Sequence, residues 1–325
     1  ENFDINELNI KNNIFIEKYP KFCFYNTSKY SESITFQIFD NDKIIAYANL
    51  SHFNDGKINI LTNIPSTSSH SSFSFSKKTK YTKREVIKKL YLEIKNYCLE
   101  HEIELFSFAT NPFEKNILDY DYIIKPELKF RNFLQIIDLD KYDIKFKSKN
   151  LQKKYEKLNK QNLEEFYSKY LILFKKKKYN IFSFESFSFL KYLDSYIYYV
   201  YKDEELLNST IIIKNNNILI EYYLSINFNN KFRPNDFLNQ YLCDKFKKEN
   251  FKYFNFQSSK KINDGTFLYK KKYQPDLKYF FYLTKLFINK ESFINKCHLY
   301  VANDNRFVYP EYFKILKNFN MSYIK

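Results

Sequence analysis

Glycine is nearly missing from this 325-residue chain, which contains only Gly56 and Gly265. Tryptophan is absent, methionine occurs once, and arginine stands at four positions, Arg84, Arg131, Arg233 and Arg306. Arginine is the side chain suited to bidentate contact with phosphates and base edges, so its scarcity excludes a sequence-specific reader of DNA. The four cysteines, Cys23, Cys98, Cys243 and Cys297, are far apart and form no Cys-x-x-Cys pair. That spacing excludes a disulfide framework and implies a reducing cytoplasm. His52, His70, His101 and His298 show no metal-ligand spacing, so no metal is expected. No apolar run approaches the roughly 20 residues of a membrane-spanning helix. No charged-then-apolar segment resembling a secretory signal opens the chain.

Aromatic and basic residues are abundant instead. The 36 Phe and 31 Tyr dictate cores of Phe, Tyr, Ile and Leu, and each buried Tyr needs a partner for its hydroxyl. A hydrophobic fraction of 44% can fill two cores, and the length suits two domains. The net charge is +16, from 53 Lys and Arg against 37 Asp and Glu. The common residues (Lys, Asn, Ile, Phe, Tyr) share A/T-rich codons, so genome composition accounts for this charge without a ligand. Scattered lysines still create a field that favours anionic partners non-specifically.

Hydrophobic alternation predicts strands over Ser33–Asp40 and Lys43–Ser51 around an Asn41-Asp42 turn, then Lys57–Asn63 after the hairpin signal Asn54-Asp55-Gly56. A Ser/Thr-rich loop, Pro65–Ser76, precedes a helix that opens on a Thr82/Glu85 capping box and buries Val86, Leu90, Ile94, Tyr97 and Cys98. Strands follow at Ile103–Ala109 and Phe130–Leu139. A lysine-rich helical region is expected from about Lys147 to Lys178. The second half repeats this grammar: strands Ser195–Tyr201, Leu206–Ile213 and Ile218–Ser225, then a helix from about Pro234 to Lys248. Strand Phe251–Gln257, a short helix Thr266–Lys272 and strand Lys278–Leu286 complete it. Proline at the first helical position suits the start of the longer helix. The expected class is α+β, two lobes in tandem, each a mixed, mostly antiparallel sheet flanked by helices.

The order of strands, helix, strand, short helix, strand resembles the core of the GNAT acyltransferases. Tandem copies resemble the Fem-type peptidoglycan-bridge aminoacyltransferases and related acyl-CoA N-acyltransferases. The most specific stretch is Asn235–Tyr282, where Thr266-Phe267-Leu268-Tyr269-Lys270-Lys271-Lys272-Tyr273-Gln274 is similar to the families' Phe-Lys-x-x-Phe-Gly element. Asn250, Asn255, Gln257 and Gln274 replace the small or acidic residues usual there. The resemblance implies an N-terminal lobe of residues 1–144 plus about 291–325. A C-terminal lobe of residues 145–290 would carry the donor site.

Acyl transfer needs a held donor, a deprotonated amine and stabilisation of the oxyanion at the carbonyl. By the resemblance, the donor grips a splayed strand, Glu221–Asn227, and a helix start, Lys231–Phe237. Ser225 and Asn227 line the first of these, and Lys231 and Arg233 neutralise donor phosphates. Asp236 in the first helical turn would oppose an anion there. Lys270 occupies the lysine of the shared element and favours the tetrahedral oxyanion, although a run of three lysines has exposed surface as its ordinary reading. Glu221, through a water, and Tyr223 are candidate acid–base groups. Ser69 and His70, in the polar loop, are candidates for acceptor contact. No nucleophile elbow is present, so no Ser-His triad is expected.

The expected activity moves an acyl or aminoacyl group to an amine on a cell-envelope or surface-glycan precursor, such as a lipid-linked sugar or peptide. The co-substrate is acyl-CoA or aminoacyl-tRNA, with no tightly bound cofactor. The expected location is the cytoplasm, with peripheral contact at the inner face of the membrane. The alternative is a non-catalytic GNAT-like protein that binds RNA or an anionic glycan through its lysines.

Overall fold

The computed structural model describes residues 31–292 apart from residues 55, 64–72, 77–78, 146–149, 178–180, 182–183, 216–217, 260–261 and 290. Ser69 and His70 lie outside the described residues, as does most of the expected return segment 291–325. The chain forms two compact units, one of residues 1–132 with 279–325 and the other of residues 133–278. The boundaries fall within two strands, here numbered β6 (Leu128–Asp138) and β12 (Asp276–Leu286).

The first unit is built on β1 (Ser31–Asp40), β2 (Lys43–Asn54), β3 (Asn59–Thr62), β4 (Ser74–Phe75) and β5 (Leu105–Ala109). The sheet runs β1-β2-β3-β5-β12, with β4 also on β2. The β1–β2 hairpin turns on Asn41 and Asp42, both at positive φ, the geometry that matches strand twist. Helix α1 (Lys83–Glu100) crosses between the parallel strands β3 and β5. Its stripe of Val86, Leu90, Ile94 and Cys98 is fully buried, together with Leu61, Phe106, Phe108 and Tyr120. Helix α2 (Ile117–Ile124) completes the layer.

The second unit continues with β7 (Gln152–Lys157), α3 (Lys160–Lys176), β8 (Ser195–Lys202), β9 (Glu205–Asn215) and β10 (Leu219–Asn227). Helix α4 (Pro234–Lys248), β11 (Tyr253–Asn255) and α5 (Gly265–Lys271) follow. Its sheet order is β6-β11-β10-β9-β8-β7. Leu207–Ile213 are all buried, as a central strand covered on both faces must be. On one face α4 packs Leu238, Leu242, Cys243 and Phe246 against Ile212, Ile220, Phe254 and Phe256. Each such side chain contributes about 1.5–3 kcal/mol when fully buried. On the other face α3 buries Leu163, Phe166 and Tyr170.

The lysine-rich stretch departs from the helix expected over 147–178, because Gln152–Lys157 is a strand paired antiparallel with β8. Its lysines stand exposed along a sheet edge, where charge discourages pairing with another chain. The helix begins only at Lys160, behind an Asn159/Asn162 capping box.

Scarcity of glycine has a backbone consequence. Ten described non-glycine residues have positive φ, among them Asn250 (63°), Gln257 (62°) and Gln274 (52°). These are three of the four positions where the resembling families carry small or acidic residues. The chain therefore keeps the left-handed turns and carries the steric cost of a Cβ. Gln274 is exposed, and its N–H is bonded to Lys271 O at 2.9 Å, a bond glycine preserves. Gln274→Gly is expected to stabilise the second unit by roughly 1 kcal/mol, read as a small rise in melting temperature.

Candidate functional site

In the second unit, β10 and β11 are parallel and pair over three positions, ending at Glu221↔Asn255. Beyond that point β10 carries a bulge between Tyr222 and Leu224, where its register with β9 shifts. The chain after β11 stays with β6 instead: Phe256 N–H donates to Gln135 O at 2.9 Å, and Gln135 N–H to Gln257 O at 3.3 Å. The strands therefore part, and a pocket of about 340 Å³ lies beside the parting. Tyr222 and Phe256 form one wall, their rings 5.9 Å apart, and Asn235 and Asn239 of α4 form another. Thr266, Tyr269 and Lys270 of α5 contribute the rest.

Helix α5 is capped by Asp264, whose carboxylate accepts from Phe267 N–H at 2.7 Å. This start sets three consecutive lysines on three paths. Lys270 turns into the pocket and donates to Ser258 O at 2.7 Å and Gln257 O at 3.2 Å. Burial pushes its ammonium down to about 8, against a weaker opposing effect of the Asp264 charge. Lys271 is exposed. Lys272 pairs with Asp236 in the first turn of α4.

That pairing alters the electrostatics expected of α4, because the Asp236 charge is compensated within the fold. Burial works against its ionisation, but hydrogen bonds from Lys272 and Tyr273 and the Lys272 charge outweigh it and lower its pKa. Tyr273 Oη donates to Asp236 Oδ1 at 2.8 Å, and Tyr269 and Tyr273 hydroxyls lie 3.1 Å apart. Burial raises the pKa of both phenols, so they remain protonated.

Among the described residues named as site candidates, Lys270 alone lines this pocket. Ser225 lies close by in a polar knot, where Thr210 Oγ1 and Asn208 Nδ2 donate to its hydroxyl at 2.8 and 2.9 Å. Asn208 also donates to Asn235 Oδ1 at 2.7 Å, tying β9 and β10 to the start of α4. Asn227 donates to Asn230 within the β10–α4 loop. Lys231 and Arg233 are exposed on that loop, and Arg233 takes the N-cap position at φ 53° without a side-chain cap. Glu221 is buried on the opposite strand face from Ile220 and Tyr222, within 3.5 Å of Asn215 Nδ2. Tyr223 shares that face, its ring 6.4 Å from Phe187. The structure thus keeps Glu221 and Tyr223 away from Lys270. It adds Tyr222, Asn239 and Tyr269, which sequence reasoning missed. The available signal was Asp236 and Asn239, two polar residues one turn apart within the buried stripe of α4.

The first unit treats the equivalent place differently. Past the β3–β5 pairing, Asn63 donates from Nδ2 to Ala109 O at 2.8 Å and accepts Ala109 N–H on Oδ1 at 2.8 Å. A buried side-chain amide therefore continues the ladder where the second unit's strands part. The start of α1 is also occupied: Thr82 N–H donates to Glu85 at 2.7 Å and Glu85 N–H to Thr82 Oγ1 at 3.3 Å. Asn63→Ala strands both backbone groups of Ala109 and is expected to cost roughly 1–3 kcal/mol in chemical denaturation.

Among the described residues there is no group of three or more His, Cys, Asp or Glu suited to a metal ion. Among them, no helix is long and apolar enough to cross a membrane.

No protein-family model matches the chain, and no curated protein is similar to it in sequence. Solved structures share its fold. FemX superposes with a TM-score of 0.64 at 9% identity, over 83% of this chain and 92% of that one. The C-terminal domain of an Agrobacterium fabrum protein named as a lysylphosphatidylglycerol synthetase gives 0.55 at 10%, over 86% and 92%. A tandem GNAT protein of the clavulanic acid biosynthesis pathway gives 0.50 at 8%, over 80% and 84%. The fold is the α+β, tandem GNAT-like fold that the sequence resemblance implied.

Proposed function

We propose that the chain is an acyltransferase whose second unit holds an acyl or aminoacyl donor in the pocket where β10 and β11 part. The parting carries this reading: a parallel pair abandoned after Glu221↔Asn255 adjoins a cavity that a half-buried lysine lines. The Asn63 seal in the first unit supports a single donor site. The names of two structural neighbours, a tandem GNAT protein and a lysylphosphatidylglycerol synthetase, are consistent with group transfer. The donor is acyl-CoA or aminoacyl-tRNA, and the acceptor is an amine on a cell-envelope or surface-glycan precursor.

In this reading the acceptor's neutral amine attacks the donor carbonyl. A C–N bond forms, and the C–S or C–O bond to the leaving group breaks. The amine's proton ends on the departing thiol or hydroxyl. The oxyanion formed in between faces the Lys270 ammonium, which is fixed by two carbonyls and needs no reorganisation to act. Lys231 and Arg233 remain exposed for the anionic end of the donor.

Acetyl-CoA and alanyl-tRNA, each added to purified protein at about 100 times its Kd, separate the donors by thermal stabilisation. A rise with one of them, followed by transfer to an amine acceptor, is the expected outcome. Stabilisation by neither sinks the reading. Equal stabilisation by charged and uncharged tRNA, without transfer, would favour the non-catalytic RNA binder.

A further inference from the structure

Asn239 carries an unsatisfied acceptor. The residue lines the pocket yet is only 2% exposed, and its Oδ1 has no hydrogen-bond partner among the described residues. A buried carbonyl oxygen without a partner is costly, and it persists in functional sites where a ligand supplies the missing donor. The orientation of this amide is set by a chain of hydrogen bonds. The Asp236 carboxylate can only accept, so Tyr273 Oη donates to it. Tyr273 Oη can then accept, from Tyr269 Oη at 3.1 Å. Tyr269 Oη in turn accepts from Asn239 Nδ2 at 3.2 Å. Tyr269 Oη also bonds the Asp236 carboxylate, so its proton is committed to that carboxylate or to Tyr273, and Asn239 is left with Oδ1 as its available end. A flipped amide would set Oδ1 against a phenol whose proton is already committed.

We infer that Asn239 Oδ1 receives an N–H of the acyl donor and is a specificity-determining residue of this pocket. The inference rests on the donor-site reading above and deepens it. Two donor classes offer such a group: the α-amino group of an aminoacyl ester, and an amide N–H of a pantetheine arm. An acyl ester with neither leaves Oδ1 unpaired and is discriminated against.

The test compares wild type with Asn239→Leu, of similar volume, and with Tyr269→Phe, which releases the amide and keeps the ring in the pocket wall. Binding of alanyl-tRNA, of propionyl-tRNA (the same ester without the amino group) and of acetyl-CoA is measured for each. Wild type should prefer alanyl- over propionyl-tRNA by about tenfold or more if the α-amino group is the donor, the effect of one hydrogen bond to a charged group. Asn239→Leu should then erase that preference, and Tyr269→Phe should reduce it. If the pantetheine amide is the donor, both variants should instead lose about tenfold in acetyl-CoA affinity. Wild-type binding of either donor that Asn239→Leu leaves unchanged removes Asn239 from recognition, while the pocket stands as a donor site. Binding of none of the three by wild type ends both inferences together. Should Asn239→Leu fold poorly, unaltered donor preference and affinity in Tyr269→Phe would by itself overturn the role of the oriented amide.

Discussion

Lys270→Ala is expected to lower kcat/KM for transfer by about 100-fold or more, the usual effect of removing one preorganised oxyanion donor. The melting temperature should stay nearly unchanged. Burial disfavours the charged form of Lys270, so truncating the side chain removes an electrostatic cost along with two hydrogen bonds to backbone carbonyls. The pH dependence carries the finer test. With its ammonium pushed down to about 8, Lys270 is mostly protonated at neutral pH and loses its proton as pH rises through that value. The rate should therefore fall on an alkaline limb near pH 8. Lys270→Arg, whose guanidinium keeps its charge, should lose that limb even if its overall rate is lower. Retained turnover in the alanine variant, or an unmoved limb in the arginine variant, removes the ammonium from the chemistry.

Asp236→Ala should have the largest effect on stability among polar substitutions near the pocket. It removes the ion pair with Lys272 and an acceptor of Tyr273. The expected loss is about 2 kcal/mol, below that for a fully buried pair because Lys272 keeps a third of its side chain in water. Its sign with pH follows from the lowered pKa. The contribution is complete above the ordinary aspartate value of 3.8 and is lost as pH falls below it. Denaturation curves of wild type and variant should therefore converge in acid. Because Lys272 and Tyr273 tie α5 to α4, and α5 carries Lys270, transfer should fall by about tenfold as well. A variant as stable as wild type at neutral pH would show that the pair contributes nothing.

Much of the fold is legible in the residues because local and long-range signals agree. The α1 stripe, its Thr82/Glu85 box and the Asn41-Asp42 turn each point to the observed element. The β7 strand was hidden because its lysines carry no apolar alternation; only its partner β8 defines it. The site was harder to read, for a specific reason. The stretch Leu219–Asn227 sets Ile220, Tyr222, Leu224 and Ile226 at one parity against Glu221, Tyr223, Ser225 and Asn227 at the other, and alternation alone does not say which set meets α4. The bulge at Tyr222 is marked by no glycine or proline. Glu221 and Tyr223 were accordingly expected at the cleft, whereas Tyr222 lines it. Lys270 was legible through the shared element, but its neighbour Lys272 was not, since pairing with Asp236 depends on how α5 lies against α4. The residues that looked like departures, Asn250, Gln257 and Gln274, hold the backbone conformations that glycine takes freely.

The most direct test is a crystal structure of the protein with a non-transferable donor, either the thioether analogue of acetyl-CoA or an amide-linked aminoacyl-tRNA 3′ end. The acyl carbonyl should lie between β10 and β11, within hydrogen-bond distance of Lys270 Nζ. A bound analogue seated elsewhere, or a pocket left empty at saturating analogue, would contradict the assignment of this pocket to the donor.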